Sequence, residues 1–296
     1  MSAVPEALRT DYYFDLDELG FADLFADVSF VWEAIARLQD SDYVDALARI
    51  GCAGAFSPRG RSTGTPDAGV QVLGTAELRI APGAIVGPYV VVSGDGGLVC
   101  IDAGAEVRPG TMIIAGKNAV YIGREAKVGP NAHLDAGRGS IVVGEKATLR
   151  QGAYLRELSV IGPKATIGNS CEVKCALIGP SAEVPHFNYV GDSIFGHRAH
   201  TGAGVKISNL KITPDPSKVD TVKVRYGEEV FDTGLRKFGV VLGDRAQLGC
   251  NSVANPGTLV GKNSLIYAGS SVGGFIPANT IVKLRQPFEH AELRTG

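Results

Sequence analysis

A chain of 296 residues with 45% hydrophobic positions carries enough apolar content for one or two globular domains with a large core. Its 29 basic and 31 acidic residues leave a net charge of −2, so no overall positive field draws it to nucleic acid or to an anionic membrane, and an anionic ligand must be met by a local cluster. Thirty-nine glycines call for a fold with many tight corners, and because no glycine recurs at every third position, collagen is excluded.

The opening "MSAVPEALRT" has no apolar h-region, and no stretch reaches about 18 uninterrupted apolar residues, so neither a signal peptide nor a membrane span is expected. Cys52, Cys100, Cys171, Cys175 and Cys250 are scattered, odd in number and without C-x-x-C spacing. They are read as reduced thiols at core or corner positions, which places the protein in the cytoplasm.

Residues 1–70 read as an N-terminal helical segment and linker. Between residues 11 and 50, Leu16, Leu19, Leu24, Phe25, Val28, Trp32, Ile35, Leu38, Val44, Leu47 and Ile50 recur at spacings near three and four, which predicts two or three short amphipathic helices. Ser41 is the expected cap of the second long one. Alone these helices make a thin core, so they are expected to dock on the rest of the chain or on a neighbouring subunit, or to cap one end of it. Residues 51–69, "GCAGAFSPRGRSTGTPDAG", read as a linker; a phosphate-cradling loop is the alternative, but no apolar strand precedes it and no Walker lysine follows.

From about residue 72 the period becomes six. Leu242, Leu248, Ala254, Val260, Ile266 and Val272 are each six apart, with small residues two places before them and glycine following at Gly243, Gly249, Gly261 and Gly273. The same register runs through Ile122, Val128 and Leu134, through Val143, Leu149 and Leu155, and through Ile161, Ile167 and Val173. This predicts a parallel β-helix over 71–285: the aliphatic residue points inward, the small one lets the chain pass inside the bend, and glycine relieves backbone strain. The repeat breaks at 210–239, where Val222, Val224 and Tyr226, a turn at Gly227, and Val230 and Phe231 predict a hairpin leaving the helix. Residues 286–296 are a tail.

The stretch "VPHFNYVGDSIFGHRAHTGAG", residues 184–204, holds three of the five histidines. By register Val184 and Val190 point inward, His186 falls on a corner and Tyr189 faces outward. Asp192 reads as a turn-stabilising side chain and His197 as a surface residue. Arg150 and Lys174 each follow an inward residue, and Lys211, Lys218, Lys223, Arg236 and Lys237 crowd the extruded loop, forming a local cationic patch.

With three hexapeptides per coil, the pattern resembles the left-handed parallel β-helix of the hexapeptide-repeat acyltransferase superfamily. The likeness is greatest to the acetyltransferase domain of bifunctional UDP-N-acetylglucosamine pyrophosphorylase/glucosamine-1-phosphate N-acetyltransferases, archaeal sugar-1-phosphate nucleotidyltransferase type. It runs from about Arg150 to Arg285 and is carried by "LRQGA", "EVKCA", "VPHFNYVGDSIFG", "TGAG", "SNL" and "DTGLRKFGVVLGD". The resemblance implies a homotrimer with sites between subunits, using acetyl-CoA as co-substrate and no metal. It implies His186 as the general base toward an amino sugar phosphate, with Tyr189 and Asn209 beside the sugar and Arg150 and Lys174 at its phosphate. Ala203, Cys250, Ala268 and Arg285 fall at positions lining the coenzyme A channel, and Lys223 and Lys237 of the loop patch are counted with the substrate-binding residues. Nothing in residues 1–75 resembles the nucleotidyltransferase domain, so the pyrophosphorylase reaction is not expected.

The family's bacterial members carry asparagine where His200 stands and follow "GAGT" with "NYDG"; here the sequence is "HTGAGVKISNLK". That departure keeps a non-catalytic scaffold or effector-binding paralogue as the alternative. A zinc-dependent carbonic anhydrase-like protein, using His186, His197 and His200, is a further one, although the H-x10-H-x2-H spacing differs from that family's.

Overall fold

The computed structural model describes residues 4–55, 69–215, 218 and 220–293. The fold is mainly β: a parallel β-helix of about ten coils, with a helical segment before it and one hairpin insertion. One side of the prism is a ten-stranded sheet, from Ile85–Val86 to Ile281–Val282. The other two sides share an 18-stranded sheet, joined across their corner by the strands Glu172–Ile178 and Tyr189–Phe195. Successive coils pair in parallel, as in Leu149 with Ile167 and Leu248 with Ile266.

Every aliphatic residue assigned inward by the six-residue register is buried, including Val184, Val190, Leu242 and Val260 at 0% exposure. Glycine's role is different from the one expected. Gly243 does not adopt positive φ; a Cβ there would stand 2.9 Å from the Lys262 nitrogen of the next coil. These glycines let coils stack closely. The left-handed corners fall instead on residues such as Arg198 (φ 54), Arg245 (φ 58), Asn251 (φ 55) and Asn263 (φ 58), the asparagines being the residue type that tolerates this region best after glycine.

The helical segment comprises Thr10–Tyr13, Leu16–Leu19, Glu33–Gln39 and Ser41–Ala55, with 3₁₀ turns at Glu6–Leu8 and Ala22–Phe25. It does not cap an end. Helix Ser41–Ala55 packs on the strands Leu98–Ile101, Ala119–Ile122 and Ile141–Val143, and helix Glu33–Gln39 packs on Glu172–Ile178 and Tyr189–Phe195, so the segment lies along one lateral side. The reason is an outward row of Val142, Val160, Leu177, Ile194, Val241 and Leu259, which joins Trp32, Ile35 and Leu38 in a second hydrophobic core. Each such side chain removed from water contributes about 1.5–3 kcal/mol. Strands on this side are therefore buried on both faces, and the short triplets "IVV", "SVI" and "VVL" are their sequence trace.

Several expectations need correction. Asp40, whose Oδ1 accepts from the Asp42 N–H at 3.2 Å, caps the long helix in place of Ser41, which is its first residue. That helix continues to Ala55, into the predicted linker; residues 56–68, with Arg59 and Arg61, lie outside the described residues. The hairpin forms as expected from Lys223–Tyr226 and Glu229–Asp232, but it folds back: Val222 and Val224 are buried, and Phe231 sits 5.5 Å from Phe30. Cys52 and Cys100, expected as free thiols, are joined by a disulfide that ties helix Ser41–Ala55 to the β-helix, which removes the reduced-thiol ground for a cytoplasmic location. Among the described residues, no helix is long and apolar enough to cross a membrane.

Candidate functional site

The strand Glu183–His186 ends at a corner where Phe187 turns the chain with φ 53. His186 is exposed there, at the mouth of a cleft of about 450 Å³ that Arg150, Gln151, Asn169 and Pro185 also line. The cleft floor is bare because Gly168 lies directly against the Pro185 carbonyl, with no room for a side chain.

Register places His186 in a column of corner residues. Asn169 pairs with His186, and the pairing of Glu183 with His200 sets His186 level with Ala203. Thr201 pairs with Leu248 and Leu248 with Ile266, which continues the column through Cys250 to Ala268. Rungs are separated by about 4.8 Å. Cys250 and Ala268 line a groove of about 360 Å³ together with Gly202, Gly249 and Tyr267. Arg285 is exposed in the irregular chain just past the last strand.

A second polar group stands on the adjacent side. Tyr189 is half-buried and lies across Gly191, where a Cβ would meet its hydroxyl at 2.6 Å and the Asn209 amide at 2.7 Å. Asn209 Nδ2 donates to Tyr189 Oη at 3.2 Å and to Asp192 Oδ2 at 2.5 Å. Asp192, 2% exposed, also accepts from Gln39 Nε2 at 2.8 Å. Burial pushes the Asp192 carboxyl above the usual carboxylate range, against the pull of those two amides and the charges of Lys174 and Lys237. Burial and the Asp192 charge raise Tyr189. Burial pushes the Cys175 thiol up to about 12, so it is protonated and inert at neutral pH.

Arg150 and Lys174 are not brought together within one chain. Arg150 precedes the corner at Gly152 and opens onto the His186 cleft, whereas Lys174 precedes the corner at Cys175, which stacks on Leu158 along a different edge, with Nζ 3.4 Å from Glu157. The expected loop patch is partly spent: Lys211 donates to the Thr221 carbonyl at 2.7 Å and Lys218 pairs with Asp215 at 3.5 Å. Lys223 and Arg236 are exposed; Lys237 is half-buried and its carbonyl accepts from Gln39 at 2.9 Å.

The three histidines of the segment do not converge. His200 Nδ1 lies 3.0 Å from Glu183 Oε2, and His197 is half-buried, not a surface residue, with its backbone N–H on Asp244 Oδ1 at 2.8 Å. Among the described residues no group of three or more His, Cys, Asp or Glu side chains could hold a metal ion. Gln39, Glu157 and the bridging role of Asp192 were not singled out from sequence; Gln39 carries no local signal beyond closing a helix.

No family model matches the chain. It is 34% identical over 142 residues to the bifunctional protein GlmU of Methanocaldococcus jannaschii, covering 48% of this chain and 33% of that one. It is likewise 34% identical over 120 residues to the bifunctional sugar-1-phosphate nucleotidylyltransferase/acetyltransferase of Sulfurisphaera tokodaii, covering 40% of this chain and 29% of that one. The match thus spans about a third of the length of these curated relatives. Among solved structures, the UDP-N-acetylglucosamine acyltransferase of Francisella novicida aligns at 17% identity and a TM-score of 0.39, over 73% of this chain and 66% of that one. Likeness that remote decides nothing about activity.

Proposed function

We propose that the protein is an acetyl-CoA-dependent N-acetyltransferase acting on an amino sugar phosphate of the glucosamine-1-phosphate kind. The observation that carries this reading is the single corner column running from His186 through Ala203 and Cys250 to Ala268, in a chain whose curated relatives include a named nucleotidylyltransferase/acetyltransferase. A base on the same corner column as an open groove suits transfer from a long thioester donor to an amine.

In this reading the exposed His186 imidazole accepts a proton from the amine as its nitrogen bonds to the thioester carbonyl carbon. The carbon–sulfur bond then breaks, and the thiolate leaves along the groove past Ala203, Cys250 and Ala268 and takes up a proton. Arg285 meets the coenzyme phosphates at the far end. Tyr189 and Asn209 contact the sugar, and Arg150, Lys174, Lys223 and Lys237 supply the cations for its phosphate. Because Arg150 and Lys174 stand on different edges of one chain, the site is completed between copies in a homotrimer. The two sides that the helical segment leaves open are free to pack in this way.

The test follows free thiol release from acetyl-CoA with a panel of amino sugar phosphates, nucleotide amino sugars and unphosphorylated amino sugars. Turnover confined to the phosphorylated amines supports the reading. No turnover with any amine, or full turnover in His186→Ala, overturns it and leaves a non-catalytic effector-binding scaffold.

A further inference from the structure

We propose that Gln39, the last residue of helix Glu33–Gln39, is a positioning residue for the acceptor end of this site, holding Asp192 so that Asn209 and Tyr189 present a fixed donor and acceptor to the ligand. The inference rests on the reading of Tyr189 and Asn209 as acceptor contacts; the contact network itself does not.

Gln39 uses both amide hydrogens, one toward Asp192 Oδ1 at 2.8 Å and one toward the Lys237 carbonyl at 2.9 Å. A flipped amide would set its oxygen against two acceptors, so the orientation is determined. The other Asp192 oxygen accepts from Asn209 Nδ2, which also donates to Tyr189 Oη. Both N–H groups of Asn209 are thereby consumed. Its Oδ1 is left to accept, and the Tyr189 oxygen, already accepting, directs its own hydrogen elsewhere. The pair offers one donor and one acceptor side by side, which matches a sugar hydroxyl, a group that needs one of each.

Asp192 is the hinge of the arrangement. It is a non-glycine residue at φ 49, 2% exposed, and a carboxylate so enclosed must have a donor on each oxygen. One donor comes from a helix 153 residues away in sequence. The helical segment therefore does more than cover an apolar side of the β-helix; it reaches through to the residues that would hold the acceptor. Gly191 keeps the path open, since any side chain there would displace both the Tyr189 hydroxyl and the Asn209 amide.

The full chain is labelled with ¹³Cζ-tyrosine, and the Tyr189 resonance is assigned with Tyr189→Phe. Gln39→Met removes both donors, and Gln39→Asn, one methylene shorter, covers the case in which Met disturbs the helix. The Tyr189 resonance is expected to move in both variants while the other tyrosines keep theirs. The KM for the amine is expected to rise about tenfold, the scale of one hydrogen bond to a charged group, with the KM for acetyl-CoA unchanged. An unmoved Tyr189 resonance in a folded variant, or an equal rise in both KM values, overturns the inference. A parent protein with no transfer to any amine defeats the functional reading, while the resonance still decides the role of Gln39.

Discussion

Gly204 donates its backbone N–H to the carbonyl of His186 at 2.9 Å, and Asn251 repeats that bond one coil further on, to Ala203 at 2.8 Å. These bonds fix the candidate base on the same corner as the small residues beyond it, so the proposed reacting end and the proposed donor path share one rigid element. Chemistry placed on a stacked corner is held by the coils above and below it, not by its own loop.

Removing the imidazole tests the base alone. His186→Ala is expected to lower kcat for acetyl transfer by about 10²–10⁴-fold, the usual contribution of a positioned general base. Because His186 is exposed, Tm should stay within about 1 °C of the parent, consistent with the small effect of surface substitutions. A large fall in Tm, or little loss of rate, would remove His186 from the mechanism.

Cys250 is an exposed free thiol in the groove beside Ala268. A bulky maleimide attached there is expected to abolish transfer, acetyl-CoA is expected to slow the labelling, and Cys250→Ala is expected to be active and resistant to the reagent. Mass spectrometry of the labelled protein, with and without acetyl-CoA, reads the protection directly. Equal labelling rates in both samples would take the donor out of this groove.

Gly191→Ala puts a methyl group 2.6 Å from the Tyr189 hydroxyl and 2.7 Å from the Asn209 amide. The ring and amide must separate, so the KM for the amine should rise about tenfold or more as one hydrogen bond and its alignment are lost. Steady-state kinetics against each substrate separates this from a general loss of fold, which would depress both.

Asp244 clasps the helical segment to the β-helix. It is fully buried, accepts from the N–H groups of Asp15 at 2.7 Å and His197 at 2.8 Å, and donates its own N–H to Tyr13 at 2.9 Å. Burial raises its pKa against the pull of those two N–H donors. Between the unfolded value near 4 and the raised folded value, the folded state binds more protons. Stability from this group is thus full below that window, falls as pH rises through it, and is flat above. Asp244→Asn should abolish that slope in denaturant titrations run across acid pH. Asp244→Ala, which strands two buried donors, should cost about 3 kcal/mol at acid pH and less above the window, where the parent has already lost the contribution of the protonated carboxyl.

The Cys52–Cys100 disulfide closes a separation of 48 residues, which restricts the unfolded chain by about 4 kcal/mol in loop-closure entropy. Reductant should lower the urea midpoint of the parent and leave that of the Cys52→Ala, Cys100→Ala double variant unchanged. An identical response in the two proteins would argue against the bond.

The sequence carried the β-helix because a six-residue period acts locally: each inward aliphatic, from Ile122 to Val272, is assigned by its own neighbours and buried by the next coil. The hairpin at Lys223–Tyr226 was legible for the same reason, as alternation around a glycine turn. The corner position of His186 was legible from its distance to Val184, but its role and the groove residues Ala203, Cys250 and Ala268 came from the resemblance, because the shortened coil after His186 and the hairpin insertion interrupt the count of sixes between them. Gly243 was misassigned, since a close approach between coils and a strained φ leave the same glycine in the sequence.

What the sequence determined by itself is therefore the repeat, its inward face, and which residues reach the corners, all set by interactions within one or two coils. Only the tertiary structure decided which side the helices cover, that Cys52 meets Cys100, and that Gln39 reaches Asp192. Those depend on the outward row from Val142 to Leu259 demanding burial and on the one surface that answers it, and contacts across 48 residues, as in the disulfide, or 153, as from Gln39 to Asp192, leave no periodic mark in the chain.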